Sequence, residues 1–406
     1  MNKRTALTGG GPLFESLVRV ARPTLPDYDS LAGDARAILE SGFLSKGRHL
    51  RAFEESVAGH LGVKHAVAVS SCTAGLMLTY RALGLTGEVV VPSFTFMATV
   101  SALVWAGARP VFADVNAATT NLDPAAAEAA LTPRTSAVVA VHNHGNPADI
   151  EPLAELCGQR GLRLVFDAAH AFGSLHRGAP VGAQGDASVF SLSFTKLLVA
   201  GEGGVVATDD DALAEGIHFG RDYGNSGNYD SAFAGINARM GEFNALLASR
   251  GLPALEAGAR HRNELARLYR EELRSVPGVG FQQVREGSRS SYKDFSITVD
   301  ETAFGLTRDE LAAALEAENI ETRKYYDPPA HRQTAYRQFA PAEVQLPNTD
   351  LLSRSSLSLP IWSDMEPSVV SKICSAVRSA HESSEEIRAA LAGARRGVAS
   401  ATARHA

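Results

Sequence analysis

Between about residues 60 and 210 the chain alternates short β-branched runs with stretches whose apolar residues recur at helical spacing. The runs HAVAVS, EVVVPS, PVFADV, SAVVAVH, RLVFDAA, ASVFSLS and GGVVATD each predict a strand. Between them TAGLMLTYRALG, FMATVSALVWAG, DPAAAEAAL and ADIEPLAELCGQRG predict helices with one apolar face. Near-continuous apolar strands alternating with helices imply an α/β fold, a mainly parallel sheet flanked by helices on both sides. In such sheets ligands bind beyond the carboxyl ends of the strands, so the polar residues that follow each run carry the interest.

After Asn237 the pattern changes. ARMGEFNALLASRGLPALEAGARHRNELARLYREELRSV predicts a long helical stretch with a break near Gly251-Leu252-Pro253. KDFSITVD then predicts a strand, TRDELAAALEAEN a helix, ETRKYY another strand and PSVVSKICSAVRSA a further helix. The organisation expected is an N-terminal arm over 1–30, a large α/β domain over 31–250 and a small C-terminal α+β domain over 251–385. The Ala/Arg/Ser-rich tail over 386–406 lacks periodicity and is expected to be disordered.

Composition excludes several classes. The 406 residues are 45% hydrophobic and 21% charged, an ordinary globular balance with room for two domains. Lys and Arg total 39 against 45 Asp and Glu, so the formal charge is −6 and a basic footprint for nucleic acid is lacking. Cys72, Cys157 and Cys374 are few, odd in number and far apart, which argues against a disulfide framework or a zinc site. No apolar run approaches the roughly 18 residues of a membrane span. MNKRTALTGGGPLF has glycines where a signal peptide needs an apolar stretch, so a cytoplasmic setting is expected.

Four strand ends carry candidate chemistry. In VSSCTAGLML small residues stand at a strand-to-helix turn, which suits a phosphate but equally suits a plain N-cap by Ser71 or Thr73. In VPSFTFMATV, Phe94 and Phe96 follow the strand and could stack on a planar ring or belong to the core. In LVFDAAHAFGS, Asp167 ends an apolar strand and His170 follows three residues on. A carboxylate there needs a cation or a donor; a helix cap is the alternative. In SLSFTKLLVAGEGG, Lys196 sits in an apolar setting that would lower its pKa, as a Schiff-base lysine requires. Together these are the parts that pyridoxal 5′-phosphate needs: a phosphate nest, a stacking face, an acid partner for the ring nitrogen and an amine for the aldehyde. His142 and His144 in VHNHGNP are two apart, which suits opposite faces of a strand rather than shared metal ligation, and no metal is expected.

With these pieces in place, the sequence resembles the DegT/DnrJ/EryC1/StrS family of pyridoxal-phosphate-dependent sugar aminotransferases, of fold type I. The likeness runs from about Pro26 to Arg378 and rests on SGFLSKGRHLRAFEE, VSSCTAGL, VVVPSFTFMATV, FDAAHAFGS, FSLSFTKLLVAGEGGVV, GINARMGEFNALLA, YYDPPAH and LSLPIW in that order. It implies that Lys196 forms the internal aldimine and moves the substrate proton, and that Asp167 keeps the pyridine nitrogen protonated. Ser191 and the backbone at Thr73 and Ala74 would then hold the phosphate. Phe96 would stack on the ring, and His170 would stand near the phenolic oxygen. Asn237 would reach the phosphate of a neighbouring subunit, giving a homodimer with shared sites. Tyr223, Tyr326 and His331 lie in segments that border the substrate in relatives, as do Phe43 to Lys46 and Tyr325. Arg48, Arg221, Arg239 and Lys324 are candidates for nucleotide contacts.

The resemblance further implies amino transfer from glutamate or glutamine to a nucleotide-linked keto-6-deoxy sugar. The first expectation is C4 of dTDP-4-keto-6-deoxyglucose. Amination at C3, of a cyclitol such as an inosose, or of an aminoshikimate-type intermediate are the alternatives; a non-catalytic cofactor-binding regulator is disfavoured by the intact Lys196 and Asp167. The Ala- and Arg-rich tail and the overall composition, taken with this family, point to secondary-metabolite pathways, antibiotic sugars included, or to cell-surface sugar pathways.

Overall fold

The computed structural model describes residues 5–402. Seven strands form the central sheet: β1 (His65–Val69), β2 (Glu88–Pro92), β3 (Arg109–Ala113), β4 (Thr135–Val141), β5 (Arg163–Asp167), β6 (Ala187–Ser191) and β7 (Gly204–Thr208). Their order is β1-β7-β6-β5-β4-β2-β3, and only β7 runs against its neighbours. Every run predicted as a strand in this region is one. The helices α1 (Tyr28–Ser41), α2 (Arg48–Leu61), α3 (Cys72–Ala82), α4 (Met97–Trp105), α5 (Pro124–Ala129), α6 (Ile150–Arg160), α7 (Asp211–Gly220) and α8 (Glu242–Gly251) accompany the sheet.

The reason for this arrangement is the burial of both sheet faces. Val67, Val69, Val89, Val91, Val139 and Val165 pack with α3, α4 and α7 on one side. Ala66, Ala68, Phe190 and Val205 pack with α2 and α8 on the other, and Val90, Val138 and Phe166 with α5 and α6. Each of the buried valine and phenylalanine side chains contributes about 1.5–3 kcal/mol.

The antiparallel β7 is set in the sheet by close approach. A Cβ on Gly204 would lie 2.6 Å from the Cys72 nitrogen at the start of α3, so only glycine lets strand and helix end meet. With β7 reversed on both neighbours, β1 and β2–β6 all run the same way, so Val69, Pro92, Val141, Asp167 and Ser191 end on one edge of the sheet.

The helical stretch after Asn237 breaks where expected: α8 ends at Gly251, Leu252–Ala254 forms a 3₁₀ turn, and α9 (Leu255–Leu273) follows. A second, three-stranded antiparallel sheet joins β8 (Val279–Phe281), β9 (Phe295–Val299) and β10 (Ser356–Leu359) in that order. Its Phe295, Ile297 and Leu357 share a core with Leu265, Tyr269 and Leu273 of α9 and Val370, Ile373 and Val377 of the helix Pro367–Glu382. Leu7, Phe14 and Val18 of the N-terminal segment pack on this same core. Glu318 fixes that segment by accepting the N–H groups of Ala6 and Leu13, each at 2.7 Å.

Two expectations are corrected. ETRKYY does not form a strand: Arg323 makes a single bridge to Ser358, and the chain then turns. The turn delivers Tyr326 against Phe94, with ring centroids 5.3 Å apart, and this packing outweighs the β-propensity of the two tyrosines. The tail is not disordered over its described part, since a helix spans Ser384–Thr402 with Ile387 buried in the small sheet's core; residues 403–406 lie outside the described residues. The alanines and arginines missed as a helix are strong helix formers, and Ile387 and Leu391 are the anchoring positions.

Candidate active site

A cavity of about 380 Å³ opens beyond the shared strand edge, lined by Ser71, Cys72, Thr73, Thr95, Phe96, Asp167, His170, Ser191, Lys196, Glu202, Lys293, Tyr325 and Tyr326 among others. The residues predicted from four separate strand ends therefore meet in one place.

Asp167 is the last residue of β5 and only 4% exposed. Its Oδ2 accepts the Thr99 hydroxyl at 2.7 Å, and its Oδ1 accepts the Ala169 N–H at 3.1 Å. Burial pushes its pKa up, and the Thr99 bond, the Ala169 N–H and the Lys196 charge pull it back without cancelling the rise. A carboxylate so placed is short of a cation, which is the condition that a protonated ring nitrogen would satisfy.

Lys196 follows β6 by five residues, in a loop whose Lys196 N–H bonds the Ser193 carbonyl at 2.9 Å. Burial and then the Lys293 charge lower its pKa to about 8, against the pull of Asp294, Cys72 and Asp167. The amine is thus available in its neutral, nucleophilic form near neutral pH. Ser191 ends β6 at the cavity wall, 8% exposed.

At the start of α3 the plain cap is present: Ser71 Oγ accepts the Ala74 N–H at 3.1 Å. Thr73 lines the cavity, while Ala74 has its N–H held by the cap and does not. The helix end still brings its positive pole and small residues to the site. Phe96 is the residue before α4, half exposed at 49%, and faces the cavity rather than the core. Phe94, the other aromatic of that stretch, is fully buried.

His170 accepts the His144 N–H through Nδ1 at 3.2 Å, which leaves the neutral ring's proton on Nε2. Burial first, and then the Lys196 charge, hold its pKa well below the usual histidine value, so the ring is neutral.

Other predicted residues lie elsewhere on this chain. Asn237 is exposed, bridges Asp222 in a loop pairing and does not line the cavity. Tyr223, 53% exposed, lies under the Arg239 guanidinium at 5.6 Å and is also outside. His331 is tied to the end of β2, its Nδ1 2.6 Å from Ser93 Oγ, and does not reach the cavity either. Of the substrate-side predictions, Tyr325 and Tyr326 line it. The four basic candidates are already paired within the chain: Arg48 with Asp34, Arg221 with Glu54, Arg239 with Asp222 and Lys324 with Asp309.

Several groups here were not foreseen from sequence: Thr99, Glu202, Lys293, Asp294 and His144 as a neighbour of His170. The His142–His144 reading also needs correcting, because β4 ends at Val141 and the two rings part in a turn. His142 stacks on Phe166, whereas His144 points its Nδ1 at Asp294, 3.5 Å away. His144, His170 and Asp294 hold donor atoms within 4.8 Å of one another, a metal-like spacing. The Lys293 ammonium already stands 2.8 Å from Asp294 and supplies the opposing charge. KDF at the start of KDFSITVD was the available signal, but it precedes a strand of the smaller sheet. It does not follow a strand of the large sheet.

The two bodies meet beside this cavity. The Ser291 hydroxyl donates to the His170 carbonyl at 2.6 Å, and a Cβ on Gly145, whose φ is +89°, would lie 1.9 Å from Ser291 Oγ. Glycine permits both the backbone conformation and the approach.

The chain is also similar to several known proteins over most of its length. A sequence model described as the DegT/DnrJ/EryC1/StrS aminotransferase family matches residues 28–378. The spore coat polysaccharide biosynthesis protein SpsC of Bacillus subtilis is 36% identical over 84% of this chain and 91% of its own. The dTDP-3-amino-3,4,6-trideoxy-alpha-D-glucose transaminase of Streptomyces venezuelae is 35% identical over 86% of this chain and 93% of its own. The crystal structure of DesI in the presence of its TDP-sugar product superimposes with a TM-score of 0.89 at 38% identity, covering 98% of this chain and 100% of that one.

Proposed function

This chain belongs to the DegT/DnrJ/EryC1/StrS aminotransferase family, and from that membership and the cavity's residues we propose that it aminates C4 of a nucleotide-linked 4-keto-6-deoxy sugar, dTDP-4-keto-6-deoxyglucose first among them. Glutamate or glutamine is the nitrogen donor in this reading. The chain is a sugar aminotransferase of a pyridoxal-phosphate-dependent family acting on nucleotide sugars. The observation that carries the chemistry is that Asp167 and Lys196, from the ends of adjacent parallel strands, share one cavity.

The residues fit pyridoxal 5′-phosphate, which when bound supplies an electron sink for the carbon that loses its proton. Lys196 would hold the cofactor through its amine and would move the proton to and from the substrate carbon. Its depressed pKa makes both roles accessible near neutrality. Asp167 would keep the ring nitrogen protonated, and Thr99 holds Asp167 in place. Ser191 and Thr73 with the positive end of α3 would hold the phosphate, Phe96 would supply an aromatic face for the ring, and the Nε2–H of His170 would donate to the phenolic oxygen.

A 4-keto-6-deoxy sugar already carries its carbonyl at C4, so amination there needs no prior migration of the keto group. Amination at C3 has its own support in the S. venezuelae relative named for a 3-amino sugar. We also read the chain as a cytoplasmic homodimer. Its three cysteines are free and buried. Phe43, Leu44, Phe194 and Phe243 are large apolar side chains left exposed, as a partner subunit would cover, and Asn237 is exposed, as reaching a neighbouring site requires. No described helix is long and apolar enough to cross a membrane.

The test is incubation of the enzyme with glutamate or glutamine and a panel of dTDP-linked 4-keto and 3-keto sugars, with product structure read by NMR. A 4-amino product supports the proposal. A 3-amino product moves the reaction to the alternative carbon, and turnover of an inosose alone overturns the nucleotide-sugar reading.

A further inference from the structure

Lys293 and Asp294 form a buried ion pair at the cavity wall, 2.8 Å apart, with 5% and 3% of their side chains exposed. Lys293 lines the cavity, whereas Asp294 stands behind it with its other oxygen 3.5 Å from His144 Nδ1. The ammonium also lies 5.4 Å over the ring of Tyr325. A buried ion pair is a poor way to stabilise a fold, since apolar residues of similar size commonly do as well or better. The position therefore asks for a chemical reason.

That reason is in the charge of the cavity. Among its described lining residues the only lysines or arginines are Lys196 and Lys293. Lys196 is committed to the amine chemistry, and His170 is neutral. An amino-acid donor brings a carboxylate on the very carbon that bears its nitrogen, and a pyranose does not. Building on the amino-transfer reading above, we propose that Lys293 is the carboxylate-binding residue for the amino-acid donor, with Asp294 as the residue that positions it. The ammonium has three N–H donors and gives one direction to Asp294, leaving the others for a ligand. When the uncharged sugar ring occupies the same space, Asp294 keeps the cation compensated. One site thus accepts two substrates of different charge in turn.

The experiment measures the two halves of the reaction separately on the holoenzyme. Glutarate, a donor analogue without the amine, is titrated by calorimetry, and the cofactor absorbance change is followed with glutamate and, separately, with the amino-sugar product. Lys293→Met should weaken glutarate binding and raise the glutamate requirement by on the order of 10- to 100-fold, the worth of a charged hydrogen bond. The amino-sugar half-reaction should lose far less, and Lys293→Arg should restore much of the glutarate binding. Because Lys293→Met leaves Asp294 buried without its partner, the double variant Lys293→Met with Asp294→Asn is run beside it. It should show the same selective loss with the fold intact by circular dichroism. Equal losses in both half-reactions, unchanged glutarate affinity in either variant, or no glutarate binding by the wild type would each overturn the proposal. Failure of the sugar reading shows differently: the wild type would then reject the amino sugar while still responding to glutamate through Lys293.

Discussion

The Thr99 hydroxyl, two residues into α4, donates to Oδ2 of Asp167 at the end of β5 at 2.7 Å, both groups being buried. The bond joins the segment that carries Phe96 to the carboxylate at the cavity floor. It also opposes the rise in the Asp167 pKa that burial causes.

Thr99→Val keeps the shape and removes the donor. Loss of a hydrogen bond to a buried charged group is worth about 1.5–3 kcal/mol. We expect the affinity for pyridoxal 5′-phosphate to fall by about 10- to 100-fold, read by fluorescence titration of cofactor-free protein. An unchanged dissociation constant would remove Thr99 from the site.

Asp167→Asn cannot hold a positive charge on the ring nitrogen. Turnover should drop by on the order of 10³-fold, given that catalytic acid–base partners commonly contribute 10²–10⁴-fold. Steady-state kinetics at saturating cofactor checks this; loss of less than about threefold would contradict the role.

Lys196 has its folded pKa lowered from 10.5 to about 8, so the folded chain binds fewer protons than the unfolded one between those two values. In cofactor-free protein, stability from this group therefore rises with pH across that window and is lowest below about 8, by about 3 kcal/mol. Lys196→Met should abolish turnover yet raise the melting temperature of the cofactor-free protein at pH 7, with the gain shrinking towards pH 10. Calorimetry on both proteins decides it, and a lower melting temperature at pH 7 would refute the desolvation account.

Glu242, 2% exposed, accepts the N–H groups of Gly47, His49 and Leu50 at 2.9, 2.9 and 3.1 Å, and so caps α2 from across the fold. Glu242→Ala should cost about 2–3 kcal/mol and lower the melting temperature by several degrees. It should also loosen the Phe43–Lys46 segment. Hydrogen exchange at Gly47 to Leu50 reports the loss directly; unchanged protection there would count against the cap.

Much of this was readable along the chain, and for identifiable reasons. Each strand of the large sheet is buried on both faces, so its apolar run is uninterrupted and the helices between keep their spacing. Asp167, Ser191 and Lys196 follow such runs directly, and a rule about strand ends finds them. The two tyrosines of ETRKYY were misread because their local preference favours a strand. Packing against Phe94 and His144, more than 180 residues earlier in the chain for Tyr326 and His144, decided otherwise.

The sequence by itself determined which residues could do chemistry and which side of the sheet would carry them. Both depend on local pattern and on the common direction of parallel strands. Only the tertiary structure decided which of them meet. It brought Lys293, just before the middle strand of the smaller sheet, to the cavity with Lys196 and set Asp294 behind it, and it left Asn237, Tyr223 and His331 outside that cavity. Contacts between residues far apart in sequence depend on how two packed bodies close on each other. At Gly145 and Ser291, for instance, the approach is so close that a Cβ on Gly145 would lie 1.9 Å from Ser291 Oγ.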